Sequence, residues 1–249
     1  MSAPREAGVQ AGIAPRDAAF WAPPVHRLGP VDRPNVTGRR LTGPDQGFGR
    51  LWQIIYKADI GAVSSPVEVV ERWKREFPTY WPKTGKFFGT GAALSPGDVA
   101  AISVGAGGVR LATGVMVLYA DEESFTFMTP EGHMFAGWIT FGATRDPSRA
   151  TTVATIDILV RANDPLYEAG MRVMRFGEDR FWKGTLRNLG RAHGVTAEPE
   201  VVALVLDRHR LWRNWRNVQH NAGIRTALYA LATPVRVLRR SRGQGPATP

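Results

Sequence analysis

Between residues 98 and 162 the chain repeats one pattern five times: a stretch rich in apolar and β-branched residues, then a short connection built from turn formers. The stretches are 98–104, 109–119, 124–129, 134–143 and 151–162. Gly105–Gly108, Asp121–Glu123, Pro130–Gly132 and Arg145–Pro147 punctuate them at hairpin distances. A parallel crossover needs a dozen or more residues, so these strands must pair antiparallel. That requirement constrains the fold more than any other feature of the sequence.

The flanks supply what such a sheet has to pack against. Residues 51–63 alternate, with Trp52, Ile54, Tyr56, Ala58 and Ile60 on one face and Gln53, Lys57 and Asp59 on the other. That spacing predicts a half-buried strand. Ser65 then stands as an N-cap, with Pro66 at the first helical position and Glu68 three after the cap. Val67, Val70, Trp73 and Phe77 continue at helical spacing to Pro78, and the Gly-rich stretch 85–97 reads as loop. After the sheet, Asp164 caps a helix expected from Pro165 to His193 and stopped by Gly194. Its expected buried stripe is Leu166, Ala169, Val173, Phe176, Phe181, Leu186 and Leu189. The expected class is therefore α+β, a curved antiparallel sheet gripping a long C-terminal helix, with extra helices after it. Sheet and helix in such a grip leave a mainly apolar space between them.

This order resembles the START-like superfamily, also called SRPBCC, with its helix-grip fold. The phrases "GPVDRPNVTGRRLTGPDQGFGRLWQIIY", "GVMVLYADEESFTFMTPEGHMFAGWITF" and "ILVRANDPLYEAG" are similar to an uncharacterised bacterial branch of it. The resemblance spans roughly residues 20–195. It implies an apolar-ligand pocket in a group that includes lipid-transfer proteins, polyketide aromatase/cyclases and hydrolase-activity modulators. The superfamily has no shared catalytic motif, so the resemblance assigns no catalytic residue.

The candidate ligand-binding residues are those predicted to face the interior: Trp52, Ile54, Tyr56, Phe125, Phe127, Trp138, Ile156 and Ile158. Each is equally suited to ordinary core. The leading function is binding or carrying a lipid, isoprenoid or polycyclic metabolite. A cyclase- or hydrolase-type enzyme is the alternative, with His133, Glu131, Tyr56 and Asp157 as its candidate groups. In that reading His133, in a turn between two strands, is a base oriented by Glu131; the competing reading is a histidine that caps its own hairpin. Asp157 and Arg161 share the weaker face of the last strand and are expected on the outer side, against water.

No metal or cofactor is expected. The five histidines, at 26, 133, 193, 209 and 220, are scattered, and the glycine run at 105–108 lacks the Lys-Ser/Thr of a phosphate cradle. With no cysteine, disulfides and thiolate chemistry are excluded. The lack of any apolar leader at the start makes a cytoplasmic location the expectation.

Charge divides the chain. Residues 201–249 hold nine arginines and one acid, while the preceding 200 residues carry 23 basic and 21 acidic groups. We therefore divide the chain into an extended arm (1–45), the ligand-binding domain (46–195) and a basic tail (196–249). Residues 198–218 read as an amphipathic helix, with a second helix expected after Gly223. Arg208, Arg210, Trp212, Arg213, Trp215 and Arg216 form the candidate contact set for an anionic membrane surface. Two helices docked on the domain, or on a second copy, are the competing reading. This leaves open a peripheral membrane or interaction protein that acts through its tail. Nucleic acid is not expected as a partner, since no nucleic-acid motif accompanies the charge, and the sequence does not specify an oligomeric state.

Overall fold

The computed structural model describes residues 40–62, 64–89, 94–106, 109–225 and 227–228. Phe20, Trp21, Val25 and Leu28, the apolar residues expected to lay the arm over the body, and the arginines from Arg236 onward lie outside the described residues.

The five repeated stretches are strands: β4 (Val99–Ala106), β5 (Val109–Ala120), β6 (Ser124–Pro130), β7 (Phe135–Asp146) and β8 (Thr151–Ala162). Before them come β1 (Leu41–Thr42), β2 (Leu51–Asp59), helix α1 (Pro66–Glu76) and β3 (Gly85–Phe88). After them come helices α2 (Pro165–Ala169) and α3 (Met171–Ala192) and a last strand, β9 (Glu200–Asp207). The order across the curved sheet is β3-β4-β5-β6-β7-β8-β2-β9, and β1 pairs with β6. Every pairing is antiparallel.

The strand register sets the two faces. Phe125, Phe141, Ile156, Tyr56 and Val201 form one row across five strands, and Phe127, Ile139, Ile158, Ile54 and Ala203 form the next on the same side. Ile54, Tyr56, Phe125, Phe141, Ile156 and Ile158 are fully buried. The helix α1 begins as its sequence specifies, Ser65 Oγ accepting the Glu68 amide while the Glu68 side chain accepts the Ser65 amide. Its buried stripe, Val69, Val70 and Trp73, then meets the inner rows. The Trp73 ring sits edge-on to Phe125 and Phe141 at 5.9 and 5.4 Å between centroids. Phe77 touches both of these, together with Phe127, Phe87 and Trp81. Such edge-to-face pairs add roughly 0.5–1.5 kcal/mol each beyond burial of the rings. Much of the ring-rich composition is spent on this one cluster.

Four sequence expectations are corrected. The stretch 85–97 is not all loop, because Gly85–Phe88 pairs with β4. The long helix is interrupted at Gly170, so its phase restarts. Leu166, Val173 and Phe176 are exposed, at 54, 79 and 74%, and the inward stripe below Gly170 is Met171, Arg175, Glu178, Trp182, Thr185 and Leu189. Gly194, at φ +77°, ends the helix in the left-handed conformation that glycine adopts without strain.

The third correction concerns residues 198–218, which are not an amphipathic helix. Residues 200–207 are a strand paired with β2 from Leu51↔Asp207 to Lys57↔Glu200. The boundary at 195 therefore does not separate the tail from the sheet. The run Val-Val-Ala-Leu-Val-Leu has the β-branched bias of a strand, and its helical stripe is a coincidence of spacing. Residues Trp212–His220 then form a 3-10 helix. Of the helix expected after Gly223, positions 222–225 and 227–228 are helical, and Leu231 falls outside the described residues.

The fourth correction is Trp138. Its register partners, Met128 and Leu159, belong to the opposite sheet face from Phe127, Ile139 and Ile158, so Trp138 lies on the outer face and not in the interior.

A polar cluster under the long helix: the candidate functional site

Helix α3 grips the sheet unevenly. At its C-terminal half Thr185, Leu186 and Leu189 are fully buried. At its N-terminal half the inward-facing Met174, Arg175 and Glu178 are only half-buried, and so are the inner-face residues opposite, Trp52 on β2 and Val201 and Ala203 on β9. The helix is fully buried at one end and half-buried at the other, where its side chains still reach those of β2. The interior beyond Trp182 is filled, since Trp182 packs on Phe141, Phe181 and Trp81.

The half-buried end is polar. Tyr56, in the middle of the inner face of β2, donates to Asp179 Oδ1 at 2.6 Å. Trp182 Nε1 donates to Glu178 Oε1 at 3.4 Å. The Arg175 guanidinium lies over the Trp52 ring, 4.7 Å from its centroid. These contacts leave three polar atoms shielded from solvent and without a hydrogen-bond partner: Glu178 Oε2, Arg175 Nε and Trp52 Nε1. An orphaned buried polar atom costs roughly 1–3 kcal/mol, and native proteins pair most such atoms with another protein group or an ordered water. Three of them on one patch between helix and sheet make a place where a polar group of a guest would gain more than it would in water.

The electrostatics agree with the geometry. Burial, with Asp179 next in sequence, pushes the Glu178 carboxyl up to about 7. Burial likewise raises the Tyr56 hydroxyl, and Glu178 and Asp179 add to the effect. The Tyr56 phenol stays protonated and serves as a donor, while Glu178 donates or accepts near neutral pH.

The candidates named from the sequence fall differently. Tyr56 is part of this cluster and Trp52 borders it. Ile54, Phe125, Phe127, Ile156 and Ile158 lie in the core below it. His133 is buried: its Nδ1 accepts the Phe135 amide at 3.0 Å, and burial lowers it to about 4. The Glu131 carboxylate goes to Arg40 at 3.2 Å and to His220 at 3.8 Å, so the described contacts do not orient His133 as a base. Asp157 accepts from Gln53 at 3.1 Å on the outer face. Arg161, also on that face, is 4% exposed and gives hydrogen bonds to the Gly49 and His209 carbonyls and the Asp207 carboxylate. It holds the end of β9 and does not face water.

Sequence reasoning missed Arg175, Glu178 and Asp179, because charges on a helix are ordinarily its solvated face. One signal was available: with Gly170 as a break, Arg175, Glu178 and Trp182 share a stripe with Leu189.

A separate surface cleft is lined by Ser64, Glu68, Glu71, Arg72, Arg75 and His193. Ser64 Oγ and His193 Nδ1 are 2.9 Å apart. The other ring nitrogen, Nε2, is buried and unpartnered, so no third group orients the ring as a nucleophile's base. Among the described residues no group of three or more His, Asp or Glu side chains could hold a metal ion, and no helix is long and apolar enough to cross a membrane.

With strand β2, helix α1, six consecutive antiparallel strands and a long helix laid across their inner face, the architecture is settled. The fold is a helix grip. Solved structures similar to this helix-grip chain include protein Ms6760 from Mycobacterium smegmatis (15% identity, TM-score 0.40), covering 56% of this chain and 89% of that one. The di-domain aromatase/cyclase StfQ of the steffimycin biosynthetic pathway is another (12%, 0.43), covering 57% of this chain and 50% of that one. A third is the major latex-like protein 151 of Panax ginseng (18%, 0.39), covering 58% of this chain and 99% of that one. No family model matches the chain, and no curated protein matches it in sequence. To the grip seen here β9 adds an edge strand, beyond β2.

Proposed function

We propose that this helix-grip protein binds an apolar small molecule between α3 and the sheet, with the molecule's polar end at Tyr56, Arg175 and Glu178. The observation that carries the reading is the set of three unpartnered, solvent-shielded polar atoms at the half-buried end of the helix. Apolar and aromatic side chains, Trp52, Met174 and Val201 among them, flank that end and suit a hydrocarbon body. Glu178 suits a hydroxyl or keto oxygen, because a protonated carboxyl donates to it, and the Tyr56 oxygen, its own hydrogen held by Asp179, accepts from a guest hydroxyl. A lipid, isoprenoid or polycyclic ketone fits this chemistry, whereas a fully apolar hydrocarbon leaves those polar atoms unpaired.

The test is displacement of an environment-sensitive apolar dye by fatty acids, sterols and hydroxylated polycycles. Saturable displacement by oxygenated ligands, with the matched hydrocarbon at least tenfold weaker, supports the reading. A protein that binds none of them contradicts it.

A second reading, an enzyme of the cyclase or hydrolase type, is favoured by one observation: a carboxyl pushed up to about 7 sits in the same cluster as a phenol donor. A general acid–base works best at such a value. If the protein turns a ligand over, Glu178→Gln abolishes turnover while binding persists.

A further inference from the structure

The 3-10 segment Trp212–His220 is built inside out. A 3-10 helix turns every three residues, so positions three apart line up. One line, Asn214 and Asn217, faces the body of the protein. Asn214 Nδ2 donates to the Asp45 and Gly47 carbonyls at 2.9 and 2.8 Å, and Asn217 Nδ2 donates to the Gln46 and Asn163 carbonyls at 2.7 and 2.8 Å. The next two lines are exposed: Trp212 with Trp215, and Arg213, which also donates to the Asp45 carbonyl at 3.4 Å, with Arg216. Trp212 is 69% and Trp215 48% exposed. An ordinary surface helix buries its tryptophans and shows its asparagines to water; here the assignment is reversed.

The exposed rings are also held in place. The Leu211 amide donates to the Phe48 carbonyl at 2.7 Å, and the Trp212 ring stands edge-on to Phe48 at 5.2 Å. Arg216 stacks over Trp215 at 5.6 Å. The four asparagine bonds fix the rotation of the segment, so the tryptophans cannot turn inward without losing them. A cation line runs beside the aromatic line, with Arg208 exposed just before it, and residues 201–249 of the sequence hold nine arginines and one acid.

From this geometry we infer that the Trp212–Trp215 ridge docks the protein on an anionic lipid surface. Tryptophan rings settle at the headgroup level, and neighbouring arginines pair with lipid phosphates. The ridge is a short, preformed insertion edge, so docking does not require the segment to fold first. A polar protein partner would not call for two exposed indoles beside the cations, and single-stranded nucleic acid is the competing occupant that the test distinguishes.

The test uses the full chain and co-sedimentation with phosphatidylcholine vesicles, with and without phosphatidylglycerol. The protein should bind the anionic vesicles and only weakly the neutral ones. Arg213→Gln with Arg216→Gln should weaken binding about fivefold per arginine. Trp212→Ser with Trp215→Ser should weaken it further and remove the part of the tryptophan emission quenched by brominated lipid. Lys86→Gln with Arg145→Gln, an equal loss of charge elsewhere, should leave binding within twofold. Circular dichroism and gel filtration verify that each variant stays folded and keeps its oligomeric state. The inference is overturned if the protein ignores anionic vesicles, if the control pair weakens binding as much as the ridge pair, or if binding survives both ridge substitutions. It is equally overturned if the ridge substitutions abolish binding to single-stranded oligonucleotides and leave vesicle binding intact.

Discussion

The informative residues are those whose protonation the fold has shifted. Glu178 binds its proton more tightly folded than unfolded, at about 7 instead of an ordinary 4.5. A group shifted this way stabilises the fold below its unfolded pKa, and the contribution disappears as pH rises through the folded value. Between about pH 4.5 and 7 it therefore removes stability, on the order of 3 kcal/mol in total. His133 acts in reverse: held near 4 instead of 6.5, it removes stability as pH falls through that range. The two slopes oppose each other, so only variants separate them. Glu178→Gln should gain stability relative to the unaltered protein as pH rises from 5 to 7.5, read as the difference in thermal midpoint; a difference that does not change with pH contradicts the shift. His133→Ala should cost about 1–3 kcal/mol, because the Phe135 amide loses its acceptor inside the protein. A stable variant would mean that His133 is not structural. Tyr56 was legible at this scale because strand alternation fixes its face. Arg175 and Glu178 were not, since their inward direction depends on a helix phase reset at Gly170 that no local propensity specifies.

At the scale of elements, the segments with strong period or strong punctuation were legible: β2, the capped α1 and the five repeated strands. Residues 200–207 were not. Their apolar run satisfies helical and strand spacing alike, and the choice is made by the free edge of β2, which is a long-range fact. The consequence is measurable. Ending the chain after Ala197 removes β9 and the Asp207 partner of Arg161, leaving a guanidinium that is 4% exposed without its carboxylate. That truncation should lower stability by several kcal/mol, about 3–5 for the broken buried pair alone. Ending it after Leu228 keeps both and should leave a thermal midpoint well above that of the shorter chain. Equal midpoints in the two truncations would show β9 to be dispensable. The exposed Val202, Leu204 and Leu206 on β9 add an aggregation risk for an edge strand, which the flanking Glu200 and Asp207 partly offset.

As a whole molecule, the protein is a helix grip packed with rings under one end of the long helix and lined with charge under the other, half-buried end. The sequence predicted the grip, and with it an apolar space. It could not locate the polar end, which arises from one strand and one helix brought together from 123 residues apart. The central claim is that this end anchors a guest. The most direct measurement is calorimetric titration of the best oxygenated competitor into the unaltered protein, Tyr56→Phe and Glu178→Leu. Saturable binding with a negative heat-capacity change is expected, weakened at least tenfold in each variant while thermal stability is kept. Equal affinity in all three proteins, or no saturable binding in any, would contradict it.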